Sequence, residues 1–142
     1  MSNHSHNLSI GEHGDRKMLL APYAWHDPVH GLIEVPAGFL FDGASIPRLA
    51  WTIIGVTPFD NRIIHAAVIH DWLYGTRSLS RRLSDDVFKR IMKHEGRLSR
   101  TSIFIIHKAV RVGGCKAYNK TRSIEDFYRP ELIEDYNCCG NA

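Results

Sequence analysis

Four side chains between positions 70 and 85 have types and spacing that could do chemistry: His70, Asp71, Tyr74 and Asp85. Residues 63–74 read Ile-Ile-His-Ala-Ala-Val-Ile-His-Asp-Trp-Leu-Tyr. A helix apolar almost all round is normally buried, and an imidazole beside a carboxylate is costly there unless both are paired or bind something. A carboxylate that holds one ring nitrogen of a histidine fixes the tautomer and leaves the other nitrogen to take a proton from water. His70 and Asp85 are the candidates for that dyad. Tyr74, one helical turn from His70, could donate a hydrogen bond to a carboxylate and steady the pair. Asp71 would then be left to bind a hard cation, with backbone oxygens from the loop Asp42-Gly43-Ala44-Ser45. Such a cation could polarise a carbonyl and stabilise an oxyanion. Ser45, Trp72 and Arg111 are the candidates for contact with a substrate, Trp72 through its apolar surface and Arg111 through an anion.

Helical spacing decides which of these groups can meet. On the first helix His70 shares a face with Ile63, Ala66, Ala67 and Tyr74, whereas Asp71 lines up with Ile64, Ala67 and Val68. On the second, Asp85 aligns with Phe88 and Met92 and points to the core. Its neighbour Asp86 aligns with Lys89, Arg90 and Lys93 and should pair along the surface. A short polar link, Thr76 to Arg82, makes the two helices antiparallel neighbours, so that Asp85 can reach His70. The same residues also make a self-satisfied structural network that ties the helices together, and the sequence leaves both readings open. Arg111 is expected in a salt bridge at the edge of the core, with Asp42 or Asp71 as partner, or on an anion. His65 reads as a packed or rim histidine, and His94 and His107 receive no role.

The remaining segments read as an α+β protein, with an N-terminal β-hairpin segment and a three-helix body. Residues 1–15, which carry His4, His6 and His13, read as a mobile polar arm, and 16–142 as one domain. Lys17 to Trp25 and Gly31 to Val35 are strand candidates around the turn Asp27-Pro-Val-His-Gly31. Pro36-Ala-Gly38 breaks the second strand, and Phe39-Leu-Phe41 can resume it. A short helix is expected over Arg48 to Ile54. Thr57-Pro58-Phe59-Asp60 has the chemistry of a helix start, for a helix that runs to Tyr74 and stops at Gly75. Further helices are expected over Leu83–His94 and Ser99–Val112, followed by short helical turns at Ile124–Tyr128 and Pro130–Tyr136.

Composition narrows the class of protein. With 44% hydrophobic and 23% charged residues the chain of 142 residues has the make-up of an ordinary globular protein. No apolar run approaches the roughly 20 residues that span a bilayer. The start Met-Ser-Asn-His-Ser-His lacks the layout of a signal peptide, so a cytoplasmic origin is expected. Cys115, Cys138 and Cys139 have neither disulfide-framework nor zinc-finger spacing. The formal charge of +3 conceals an asymmetry. Arg77 to Arg122 carries 13 Lys/Arg against 3 Asp/Glu, a local +10, and the remainder holds 5 against 12, or −7. A basic segment of that kind suits phosphate, unless the acidic stretch Glu125–Asp135 covers it. Without interleaved aromatics, a nucleic-acid partner has charge alone in its favour.

Two resemblances enter on these residues. Val35-Pro-Ala-Gly-Phe39, Asp42-Gly-Ala-Ser-Ile-Pro47, His70-Asp-Trp-Leu-Tyr74, Ser84-Asp-Asp-Val-Phe88 and Ala109-Val-Arg111 together resemble a small family of bacteriophage and prophage proteins of unknown function. That resemblance implies a phage protein made in the cytoplasm of a bacterial host and a candidate for the virion; it supplies no activity. More locally, His-Asp-x-x-Tyr followed by a helix with Asp-x-x-Phe resembles the active-site helices of secreted, prokaryotic and parvovirus phospholipases A2. This implies His70 as the base that activates water, Asp71 as a calcium ligand, Asp85 as the partner of the histidine and Phe88 as packing beside it. The glycine-rich calcium loop of those enzymes has no recognisable counterpart, and Asp42 to Ser45 is the substitute the chain offers. The expectation is a calcium-dependent phospholipid esterase that acts during phage entry or lysis, with anionic membrane or other virion proteins as partners. Its rival is a non-enzymatic virion or assembly protein (tail, baseplate or neck) in which the His-Asp-Tyr network is structural.

Overall fold

The structure, a computed structural model, describes residues 8–42, 48–57, 60–120 and 122–140, by backbone alone at 48–50 and 138–140. Its strands are β1 (Ile10–His13), β2 (Arg16–Leu19), β3 (Tyr23–Asp27), β4 (Gly31–Val35) and β5 (Leu40–Phe41). Its helices are α1 (Arg48–Ile54), α2 (Ile64–Thr76), α3 (Arg81–Glu95), α4 (Arg100–Gly113), α5 (Cys115–Asn119) and α6 (Glu131–Gly140), with a 3-10 turn at Ile124–Asp126. This is an α+β fold, strands first. Contacts divide the chain into two compact units, Met1–Asp42 with Arg122–Ala142, and Gly43–Thr121.

In the first unit β3 and β4 form the expected hairpin, with Trp25 opposite Ile33 and Tyr23 opposite Val35. Tyr23, Trp25 and Asp27 are buried while His26 is exposed, the period-two pattern of a half-buried strand. The turn is built by Asp27, whose Oδ2 accepts from the backbone N–H groups of Val29 (3.1 Å) and His30 (3.0 Å). Its Oδ1 accepts from Trp25 Nε1 at 3.3 Å. Gly31 then takes φ +77°, a conformation in which a side chain would be strained.

Two expectations for this unit are corrected. Ile10–His13, assigned to a mobile arm, pairs with β2 as β1. The apolar run Lys17–Trp25 is not one strand but two, interrupted around Pro22, which cannot donate to a ladder. Phe39–Phe41 does resume extended structure, yet β5 joins β2 rather than β4, in a sheet of order β1-β2-β5. The C-terminal segment closes on this edge. Leu40 N–H donates to Phe127 O (2.7 Å) and Arg129 N–H to Gly38 O (2.8 Å). Gly38 has φ +95°, and a Cβ there would lie 2.7 Å from Pro130 Cα, so the approach needs glycine. The 3-10 turn is held by a capping box between Ser123 and Asp126.

In the second unit α3 packs against both α2 and α4. Ile69, Leu73, Val87, Phe88, Ile91, Met92, Ile103 and Ile106 make its core. Ser80 caps α3 by accepting from Leu83 N–H, Ser99 caps α4 by accepting from Ser102 N–H, and Gly96 ends α3. Nine of the thirteen residues of α2 are buried, which is why its sequence lacks a polar stripe.

The ends of α2 differ from expectation. Instead of starting at Thr57, it starts at Ile64, because Asp60 makes a local turn: its carbonyl accepts from Ile63 and Ile64, and its carboxylate from the Arg62 backbone and guanidinium. It ends not at Gly75 but at Arg77, which adopts φ +52° and donates its N–H to Leu73 O. That left-handed conformation costs about 1 kcal/mol. It is offset by guanidinium bonds to the carbonyls of Tyr118 (3.1 Å) and Lys120 (3.0 Å).

Candidate active site

The site is assembled on α2, α3 and α4 around the carboxylate of Asp85, which is fully buried, as is His70. Asp85 Oδ1 accepts from His70 Nε2 at 2.7 Å and from the Tyr74 hydroxyl at 2.5 Å. Its Oδ2 accepts from Arg111 at 2.6 Å, with Arg81 one helical turn away at 3.9 Å. A carboxylate can only accept, so Nε2 of His70 carries the proton and Nδ1 the lone pair. Nδ1 is buried and has no hydrogen-bond partner among the described residues.

Ring packing fixes the imidazole. The Tyr74 ring lies 4.1 Å from it and the Phe88 ring 4.6 Å, centroid to centroid. Tyr118 meets Tyr74 edge-on at 5.3 Å and donates its hydroxyl proton to Leu79 O at 3.0 Å. Gly114 makes room: a Cβ there would lie 2.6 Å from the Tyr74 hydroxyl and 2.6 Å from Val110 O. Arg81 ties the ends of α3 and α4 by donating to the carbonyls of Val110 (3.3 Å) and Arg111 (2.8 Å).

Electrostatics follow from this packing. Burial pushes the Asp85 carboxyl up, but the hydrogen bonds from His70, Tyr74 and Arg111 outweigh it and hold it below the usual carboxylate value. Burial, reinforced by the bond to Asp85, pushes the Tyr74 phenol far up, so it stays a neutral donor. Arg81 and Arg111 are about a quarter exposed, so the network is sealed at the dyad and reaches solvent through its guanidinium groups.

His70, Tyr74 and Asp85 are therefore brought together as the sequence predicts. Arg111 makes the expected edge-of-core salt bridge, but with Asp85 rather than Asp42 or Asp71. Asp86 is corrected more fully. It does not pair along α3; it meets His107 of α4 at 3.3 Å. Burial and the nearby Lys89 push His107 below its ordinary value despite that contact. His65 and Trp72 are half-buried on α2, and His94 is exposed.

Of the candidate metal set, Asp71 and Asp42 fall on described residues. Asp71 is buried on α2, while Asp42 is exposed in the other unit. Gly43 and Ser45 lie outside the described residues. Among the described residues no group of three or more His, Cys, Asp or Glu side chains is placed to hold a metal ion. Calcium takes six to eight oxygens, of which the Asp71 carboxylate would supply one or two.

Sequence reasoning missed Arg81, Gly114 and Tyr118. Arg81 stands four residues before Asp85, a spacing that signals a helical ion pair. Gly114 was legible as a helix terminator, though not as the space that Tyr74 occupies.

These features define a small α+β protein with a buried His-Asp-Tyr-Arg network on three neighbouring helices. The chain belongs to the family described as "Protein of unknown function (DUF1353)", whose model matches residues 17–110. That match includes His70, Tyr74, Arg81 and Asp85 and ends one residue before Arg111. The chain is also similar to "Uncharacterized protein y4jT" of Sinorhizobium fredii (strain NBRC 101917 / NGR234), at 42% identity over 60 residues. Those residues are 42% of this chain and 18% of the relative, so the chain spans less than a fifth of that protein's length. No solved structure matches the chain. No helix among the described residues is long and apolar enough to cross a membrane.

Proposed function

We propose that His70 and Asp85 form the general-base dyad of a phospholipid esterase encoded by a phage. One observation carries the reading: Asp85 holds Nε2 of His70 while Nδ1 has no partner among the described residues. In a network that serves cohesion alone, buried polar atoms are normally satisfied; a lone Nδ1 is a proton acceptor. In the reaction, water gives a proton to Nδ1 as its oxygen adds to the ester carbonyl. The imidazolium, stabilised by Asp85, then returns that proton to the departing alkoxide. Tyr74 and Arg111 act on the carboxylate and keep it ionised. Calcium belongs to this proposal with Asp71 as its candidate ligand. The setting is phage entry or lysis, from the host cytoplasm or from the virion, with an anionic membrane or other virion proteins as partners.

A second reading has its own observation. His70 and Asp85 are both fully inaccessible to solvent, as suits a structural strut in a non-enzymatic virion or assembly protein. Fatty-acid release from mixed phospholipid vesicles, in calcium and in chelator, separates the two. The esterase reading expects release by the native protein and a fall of about 10²-fold or more in His70→Ala and Asp85→Asn, the scale of general-base catalysis. No release in either medium, with both variants merely less stable, would leave the strut. Release that persists in chelator would remove calcium from the proposal.

A further inference from the structure

We propose that the outer face of α3 and α4 is a docking surface for an anionic phospholipid bilayer. It extends the lipid reading above, yet it rests on different residues from the dyad. A groove of about 600 Å³ is lined by Lys89, Lys93, Leu98, Arg100, Ile103 and Phe104. Three cations thus border a floor of three apolar side chains. Phe104 is 56% exposed, with the Lys108 ammonium 5.5 Å from its ring centroid. Along α4 the exposed positions Arg100, Phe104, Lys108 and Val112 recur at intervals of four, one stripe that alternates cation and apolar group. Val112 is 84% exposed.

Charge complementarity selects the occupant. From Arg97 to Lys120 the sequence has six Lys/Arg and no Asp or Glu, so no acidic residue of this stretch offsets the positive field. Lys89, Lys93 and Arg100 make no ion pair among the described residues, whereas Arg81 and Arg111 are engaged at Asp85. A helix with cations beside exposed apolar groups suits the interface of an anionic bilayer, where phosphates meet the cations and acyl chains meet the apolar side chains. A nucleic-acid backbone would match the cations and leave Leu98 and the exposed Val112 without counterparts.

Co-sedimentation of the full chain with vesicles tests this without reference to hydrolysis. The protein should sediment with phosphatidylglycerol/phosphatidylcholine vesicles, not with phosphatidylcholine alone, and release as salt is raised. Removal of Lys89, Lys93 and Arg100 as alanines should weaken binding by about fivefold per cation. Phe104→Ala should weaken it by about tenfold through lost apolar burial. These side chains lie on the surface, so the far-UV spectra should match that of the native chain. Binding unchanged in both variants, equal binding to neutral vesicles, or preference for duplex DNA over anionic vesicles would overturn the proposal. Because binding and fatty-acid release are read separately, a dead dyad leaves this surface standing, and a failed surface leaves the dyad untouched.

Discussion

Asp85 is the residue on which the second unit turns, because two helices besides its own aim donors at one buried carboxylate. Asp85→Ala would leave His70, Tyr74 and Arg111 without their acceptor and should cost about 3–5 kcal/mol, the scale for breaking a buried ion pair by one partner, as read by urea unfolding. Acid should act on the same group. Its folded pKa lies below the ordinary value, so its contribution is complete above about pH 4, the unfolded value. The contribution is lost as pH falls through the folded pKa. Unfolding measured from pH 5 to pH 2 should show that loss in the native chain and lack it in Asp85→Asn. Gly114→Ala tests the packing that sets Tyr74. A Cβ 2.6 Å from the hydroxyl should cost about 1–3 kcal/mol as overpacking does, with activity reduced alongside.

Between elements, α3 and α4 are joined by Asp86–His107 and by Arg81 on the last carbonyls of α4. His107 lies below its ordinary pKa, so the unfolded chain binds its proton first. Stability should therefore fall as pH drops below about 6.5, and His107→Gln should flatten that dependence in thermal unfolding. Much at this scale was legible. Ser80, Ser99, Gly96 and the apolar spacing of α3 and α4 are local signals, and the inward turn of Asp85 followed from its register with Phe88 and Met92. The start of α2 was missed because the local turn at Asp60 and Arg62 competes with the signal at Thr57, and its end because Arg77 is held by carbonyls more than 40 residues away. Asp86 misled for a similar reason: its partner lies on another helix, 21 residues away.

At the scale of the whole molecule the α+β class was readable from strand-like segments followed by helical ones. The pairing of β5 with β2 was not, since strand partners are chosen by long-range contacts rather than by local pattern. The triad of His70, Tyr74 and Asp85 was readable because the helical repeat puts His70 and Tyr74 on one face of α2 and turns Asp85 of α3 toward the core. The charge asymmetry, +10 over Arg77–Arg122, belongs to this scale too, and it predicts that fatty-acid release rises with the anionic fraction of the vesicles and falls with salt.

The central claim is that Asp85 presents His70 with Nδ1 as its proton-accepting atom. Long-range ¹⁵N–¹H correlation of the histidine rings at neutral pH measures this directly. The account predicts a protonated Nε2 and an unprotonated Nδ1 at His70, with the preference weakened in Asp85→Asn. A proton found on Nδ1, with Nε2 bare, would contradict it.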